Sequence, residues 1–207
     1  MKNLCGIYAK TYLNYKVYNR ERLRGLNDGG YVVASNHVSF LDPPLVGIAF
    51  PENIYYFARK TLFDKPFASW MLHRMWAIPV DQARPEMSTL KKIIQLLKDG
   101  EKVVIFPEGE RTYDGNLKEV GQSGVGMIVE KSKAKVLPVR LFGPEKALPR
   151  NSKKVVKVPV TMVVGEPMDL SDLINDKTID KRTKYEAITA RIMDAIREIE
   201  CPEERKV

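Results

Sequence analysis

Tyr31-Val32-Val33-Ala34-Ser35-Asn36-His37-Val38-Ser39-Phe40-Leu41-Asp42 opens on an apolar β-like run, crosses a short polar loop and places an Asp in front of Pro43-Pro44 and a helical stretch reaching Phe50. An apolar run of this kind, bounded by turn residues, reads as a buried strand, and Asp42 is a good N-cap for the helix after it. A second segment repeats the arrangement: Val103-Val104-Ile105-Phe106 is followed directly by Pro107-Glu108-Gly109-Glu110-Arg111-Thr112. Working outward, strands are expected at Ile54 to Ala58, Lys135 to Leu141 and Val155 to Val164, and helices at Phe67 to Trp76, Met87 to Lys98, Gly121 to Lys133 and Thr183 to Glu200. Thr183 and Glu186 have capping-box spacing at the start of the last helix. The alternation predicts an α/β fold: one domain with a mixed, largely parallel sheet flanked by helices. Open α/β sheets bind ligands beyond the carboxyl ends of their strands, so His37 and Glu108, each just after a strand, can share one cleft.

With 207 residues, 44% of them apolar, the chain suffices for one substantial core, and no Pro/Gly/Ser-rich linker marks a second. Two cysteines, Cys5 and Cys201, lie at opposite ends and nothing resembles a cleavable signal peptide, so a reducing compartment is expected and a disulfide framework is not. No run approaches the ~20 apolar residues that span a bilayer. Residues 4–18 carry Leu4, Ile7, Tyr8, Tyr12, Tyr15 and Tyr18 at near-helical spacing with Lys10 and Lys16 between them. Residues 1–20 are therefore expected to form an N-terminal amphipathic helical segment suited to a membrane interface, with packing onto the domain as the competing reading; residues 21–207 form the domain itself.

A net charge of +8, from 34 basic and 26 acidic residues, favours an anionic partner: nucleic acid, an anionic membrane, an acidic carrier protein or a phosphorylated substrate. Nucleic acid is disfavoured because the cations come in ones and twos, such as Arg59-Lys60 and Lys91-Lys92, with no basic arm or recognition motif. His37 followed five residues later by Asp42 can hold a general base with its orienting carboxylate. Taken alone that spacing is weak: with two His in the chain, some His-x4-Asp arises by accident roughly once in ten such sequences. Two strand-end motifs in this order are harder to obtain by chance.

The ordered pair resembles the glycerolipid acyltransferase family, in particular its bacterial 1-acylglycerol-3-phosphate acyltransferases. Phe57-Ala58-Arg59-Lys60-Thr61-Leu62-Phe63 is similar to the basic segment between that family's first two motifs, Ala77-Ile78-Pro79-Val80-Asp81 to its second motif, and Val136-Leu137-Pro138-Val139 to its fourth. One departure stands out: the position after Asp81, often Arg in the family, is Gln82, with Arg84 nearby. The resemblance implies transfer of a fatty acyl group from an acyl-carrier-protein or coenzyme A thioester to the free hydroxyl of lysophosphatidic acid, giving phosphatidic acid. It makes His37 the base and Asp42 its orienter, and Arg111, with Arg59, the holder of the acceptor phosphate. Glu108 and Gly109 join the substrate-binding set as residues that shape the loop, Gly allowing close backbone approach. No protein nucleophile and no cofactor are needed, because a thioester is already activated. The implied location is peripheral, on the cytoplasmic side of the cell membrane. Rival readings are the same chemistry on glycerol 3-phosphate or another lysolipid, and a non-catalytic module binding lipid or anions.

Other features invite misreading. Gly121-Gln122-Ser123-Gly124-Val125-Gly126 matches neither a P-loop nor a dinucleotide fingerprint and reads as close helix packing. His73 and the cysteines lack metal-ligand spacing, so no metal is expected. Trp70, Met71, Leu72, Met75 and Trp76 form a dense apolar group, expected in the core and otherwise as the wall of an acyl-chain tunnel.

Overall fold

The computed structural model describes residues 2–81, 87–112, 115–152 and 154–206; Gln82 and Arg84 lie outside them. In chain order the elements are α1 (Lys2–Tyr12), β1 (Lys16–Tyr18), β2 (Tyr31–Ser35), α2 (Asp42–Ala49), β3 (Tyr55–Arg59), α3 (Pro66–Arg74), β4 (Ala77–Val80), α4 (Met87–Lys98), β5 (Lys102–Ile105), α5 (Ser123–Ser132), β6 (Lys135–Phe142), α6 (Pro144–Ala147), β7 (Thr161–Val164), α7 (Ser171–Asn175) and α8 (Lys181–Arg197). The strands make one sheet in the order β1-β7-β6-β2-β5-β3-β4, parallel throughout except where β7 runs against β6. The expected largely parallel α/β sheet is therefore present.

β2 lies between β5 and β6, and all five of its residues are buried. Successive side chains of a strand point to opposite faces, which sorts the run into two cores. Tyr31 and Val33 join Ala9, Leu13, Leu45, Val46 and Phe50 on the face covered by α1 and α2, while Val32 and Ala34 join Ile93, Val125, Val129, Ile188 and Ile192 beneath α4, α5 and α8. This double coverage accounts for a strand with no polar alternation.

The glycine-rich stretch serves the α5–α8 contact. A Cβ on Gly126 would stand 2.1 Å from the Tyr185 carbonyl oxygen, and one on Gly121 2.8 Å from the Thr189 methyl carbon. The Gly126 N–H donates to Thr189 Oγ1 at 3.2 Å. Helix packing, rather than phosphate binding, explains these glycines.

Four local expectations change. The N-terminal helix stops at Tyr12 instead of continuing towards Tyr18: Asn14 turns with φ 42°, and Lys16–Tyr18 pairs with β7 as an edge strand. Tyr15 has left the aromatic face; its hydroxyl donates to the Leu45 carbonyl at 2.9 Å. Of the strand expected over 155–164 only Thr161–Val164 forms, since Pro159 has no N–H for a ladder and the Val156 N–H is taken by the Ala147 carbonyl. α8 starts before Thr183: Asp180 is its N-cap, accepting from the Arg182 and Thr183 amides, and Glu186 pairs with Arg182 rather than closing a capping box. Finally, Ala77–Val80, singled out only as a motif, forms the edge strand β4.

Candidate active site

β2 ends at Ser35, and the chain leaves the sheet at the very next residue under firm control. The Asn36 side chain, buried between strands, donates from Nδ2 to the Leu141 carbonyl at 2.9 Å and accepts from the Leu141 N–H at 2.8 Å, adding a rung between β2 and β6 after their backbones part. His37 follows. Its Nδ1 lies 2.8 Å from Asp42 Oδ2, and the same oxygen accepts from the Val38 and Ser39 amides, both at 2.7 Å. Asp42 is thus the first residue of α2 rather than its cap, and its carboxylate reaches back to bind the turn before it. Three donors on one oxygen define a carboxylate acceptor, so Nδ1 carries a proton, and in the neutral ring that tautomer leaves the lone pair on Nε2. Asp42 is 0% exposed. Burial pushes its carboxyl above the ordinary carboxylate range, against the pull of the His37 ring and the two amides. The Phe106 ring stacks on His37, centroids 4.1 Å apart and planes 19° apart, which limits rotation of the imidazole.

The loop after β5 locks onto the same corner. Glu108, also 0% exposed, accepts from the His37 N–H at 2.6 Å through Oε1 and from the Lys118 N–H at 3.0 Å through Oε2. The Thr112 N–H donates to the His37 carbonyl at 2.9 Å, so both main-chain groups of His37 are held by the second motif. Burial raises the Glu108 carboxyl above its usual range, with the Lys118 and His37 amides opposing. Gly109 turns with φ 74°, and a Cβ there would stand 2.7 Å from Gln122 Cγ. The left-handed backbone and the close side chain both demand glycine. Glu108 therefore braces the loop from below and does not reach the cleft, whereas Gly109 lines it.

Between the two motifs opens a cleft of about 300 Å³, lined by His37, Phe40, Arg59, Gly109 and Arg111 on its polar side and by Phe57, Leu62, Met71, Leu72 and Met75 on its apolar side, with Cys5 of α1 and Tyr56 also reaching it. The Arg111 guanidinium sits 3.5 Å above the Phe40 ring, and its carbonyl accepts from Arg150 at 3.2 Å. Arg59 ends β3, exposed at the cleft wall. His37, Asp42, Arg59, Gly109 and Arg111 are thus gathered at one corner. The tryptophan-methionine group divides: Met71, Leu72 and Met75 line the cleft, while Trp70 is 49% exposed and Trp76 is exposed against Tyr55. His73 lies apart, its Nδ1 2.8 Å from the Ser69 carbonyl and its ring edge-on to Phe63. Among the described residues no three His, Cys, Asp or Glu side chains converge as metal ligands.

Three contributors escaped the sequence reading. Asn36 and Phe106 stand inside the quoted motifs, but nothing in their types announces an extra sheet rung or a ring stacked on His37. Lys118 gives no signal at all: its amide is fixed by Glu108, and its ammonium lies 3.2 Å from the Glu108 carbonyl and 2.9 Å from Glu110.

A parallel α/β sheet bearing a His–Asp pair at a strand end, above an apolar cleft rimmed by arginines, defines the class, and the chain belongs to it: the family described as Acyltransferase matches residues 14–141. Among particular relatives, the chain is 33% identical over 206 residues to the 1-acyl-sn-glycerol-3-phosphate acyltransferase of Bacillus subtilis (strain 168), covering 97% of each. It is 27% identical over 171 residues to the enzyme of the same name from Streptococcus pneumoniae, covering 81% of this chain and 61% of that one. The solved 1-acyl-sn-glycerophosphate acyltransferase PlsC from Thermotoga maritima shares its fold, with a TM-score of 0.71 at 23% identity over 97% of this chain and 80% of that chain.

Proposed function

We propose that this chain is a 1-acylglycerol-3-phosphate O-acyltransferase, moving a fatty acyl group from a thioester of acyl-carrier protein or coenzyme A to the free sn-2 hydroxyl of lysophosphatidic acid. The observation that carries the reading is that His37 lines the cleft together with apolar side chains and the cations Arg111 and Arg59. An acyl chain suits the apolar side and a phosphate suits a guanidinium fork, so the junction is where a hydroxyl and a thioester carbonyl would meet. His37 takes the hydroxyl proton as the oxygen attacks the carbonyl carbon; the tetrahedral intermediate then expels the thiolate, which receives that proton from the imidazolium. Asp42 keeps Nδ1 protonated and stabilises the imidazolium, as the acid does in a catalytic triad, here with no serine. Similarity to relatives named for this activity supports the choice of acceptor.

The same reading puts the protein on a membrane surface at the cytoplasmic side. Leu4 and Ile7 of α1 are 73% and 61% exposed and Tyr8 is exposed beside them, while Cys5 and Ala9 turn towards the domain. Lys10 and Lys16 can each gain ~1 kcal/mol near anionic headgroups. Among the described residues no helix is long and apolar enough to cross a membrane. The test is a radiolabelled acyl-transfer assay offering both donors against a panel of acceptors. Phosphatidic acid from lysophosphatidic acid is the expected product. Transfer only to glycerol 3-phosphate or another lysolipid would overturn the acceptor, and no transfer from either donor would leave a lipid- or anion-binding module.

A further inference from the structure

Four cations flank the apolar side of the cleft within one short stretch: Arg59 at the end of β3, Lys60 in the 3-10 turn after it, Lys65 just before α3 and Arg74 at its last residue. All four are exposed, and Asp64 is the one acidic residue between positions 59 and 74. Ion pairs elsewhere neutralise many surface cations, including Arg22 with Glu166, Lys118 with Glu110, Lys135 with Asp28 and Arg191 with Asp172. Among the described residues none of the ion pairs includes Arg59, Lys60, Lys65 or Arg74. Leu62 and Trp70 stand exposed among these charges, and Arg74 lies over the Trp70 ring at 5.5 Å. Met71 and Leu72 of the same helix line the cleft. The rim is a cationic surface with an apolar centre, joined directly to the site of transfer.

On the basis of the proposed acyl transfer, we infer that this rim is the docking surface for the donor in the form of an acidic carrier protein. A nucleotide-borne thioester presents its phosphates compactly and asks for convergent donors. The cations here are strung along three successive elements and open to solvent, which suits carboxylates spread over a protein surface. Exposed Leu62 and Trp70 supply the aromatic and apolar centre that protein interfaces place inside a polar rim. Complementary charge of this kind acts mainly on encounter rate and partner choice, and salt weakens it. A carrier docked here would feed its thioester arm past Leu62 and Leu72 towards His37, leaving the inner ends of Arg59 and Arg111 to the acceptor phosphate.

The test uses the full chain with Lys60→Glu and Lys65→Glu combined, neither residue lining the cleft. Palmitoyl transfer to lysophosphatidic acid is measured with the acyl group on a bacterial acyl-carrier protein and, separately, on N-acetylcysteamine, a thioester with no protein surface. The expected result is an apparent KM for the carrier-borne donor at least about tenfold higher and much less sensitive to salt, with the N-acetylcysteamine KM and the acceptor KM unchanged. An unchanged carrier KM, or equal changes for both donors, overturns the inference. So does loss of binding to anionic vesicles with the carrier KM intact, which would give the rim to lipid instead. Wild-type transfer from coenzyme A but not from the carrier defeats this inference and leaves the acyltransferase reading standing; no transfer from any donor defeats that reading itself.

Discussion

The corner that carries His37 and the rim formed by α1 and α3 face one cleft, yet they treat polarity in opposite ways. At the corner two carboxylates are fully buried and three polar groups of His37 are held: its Nδ1 by Asp42, its N–H by Glu108, its carbonyl by Thr112. At the rim Leu4, Ile7, Leu62 and Trp70 are exposed, and Arg59, Lys60, Lys65 and Arg74 enter none of the ion pairs among the described residues. The corner spends its interactions on fixing one geometry, which is what proton transfer needs. The rim keeps its surface uncommitted, which is what docking needs.

Breaking the corner should give the largest effects. His37→Ala should lower kcat by about 10²–10⁴-fold, the range general-base catalysis supplies, with the melting temperature nearly unchanged. Near-wild-type turnover of the purified variant would remove His37 from the chemistry. Asp42→Asn should come next, and the geometry says how. Its amide oxygen can still accept from Nδ1 and the two backbone amides, but its NH2 then falls at Oδ1, which is buried without a hydrogen-bond partner among the described residues. The variant should lose about 1–3 kcal/mol of stability by urea titration along with most of its activity, since a neutral amide also fails to stabilise the imidazolium. His73→Ala is the control, with activity near normal.

How much of this was legible in the sequence follows from what each residue depends on. The strands β2 and β5 and the helices α4 and α8 could be read because apolar periodicity is local and burial on both faces leaves an unmistakable run. His37, Asp42, Arg59 and Arg111 could be placed near one another because parallel strands deliver their C-terminal ends to one edge. β1 could not be read: Lys16–Tyr18 is a strand only because β7, far along the chain, offers it an edge and Arg205 donates to the Asn14 carbonyl at the turn before it. Glu108 could be assigned to loop shaping but not to its partners, since a contact between positions 37 and 108 has no one-dimensional trace. The rim was harder still, because exposed Trp70 and half-buried Leu72 look alike in an apolar cluster.

Glu108 sharpens the comparison through pH. Burial raises its pKa, so the folded chain holds that proton more tightly than the unfolded one, and this group's contribution to stability is fully present at low pH. It is lost as pH climbs from the ordinary carboxyl range through the raised value. Glu108→Gln lacks the titration, and its amide faces two N–H donors, those of His37 and Lys118, of which it can satisfy one. The melting temperature of wild type relative to the variant should fall as pH rises from the ordinary carboxyl range through the raised value; a difference independent of pH would mean the carboxyl is not perturbed. At the cleft mouth Arg111→Ala should raise the acceptor KM about 10–100-fold, the loss of one or two charge-assisted contacts, while the donor KM stays put. Arg111→Lys should recover part of it, keeping charge but not the fork or the full stacking on Phe40.

The smallest effect on chemistry belongs to the outer face of α1, and it separates rim from core within a single helix. Leu4 and Ile7 expose most of their surface, whereas Ala9 and the following Leu13 are buried against the domain. Replacing Leu4 and Ile7 together by Ser removes apolar area that is mostly exposed to solvent in the folded chain, so stability should change by less than ~0.5 kcal/mol. If that face lies in a lipid interface, burial there is worth at most ~1.5–3 kcal/mol per side chain, and vesicle affinity should drop about tenfold or more. Activity on vesicle-borne lysophosphatidic acid should fall with it, and activity on a short-chain soluble acceptor should not. Leu13→Ala, by contrast, should cost about 2–5 kcal/mol in folding through the cavity it leaves. Sedimentation with anionic vesicles read beside urea titration decides the matter: unchanged sedimentation of the Leu4/Ile7 double variant would move the membrane contact away from α1, and a large loss of stability would return that face to the core.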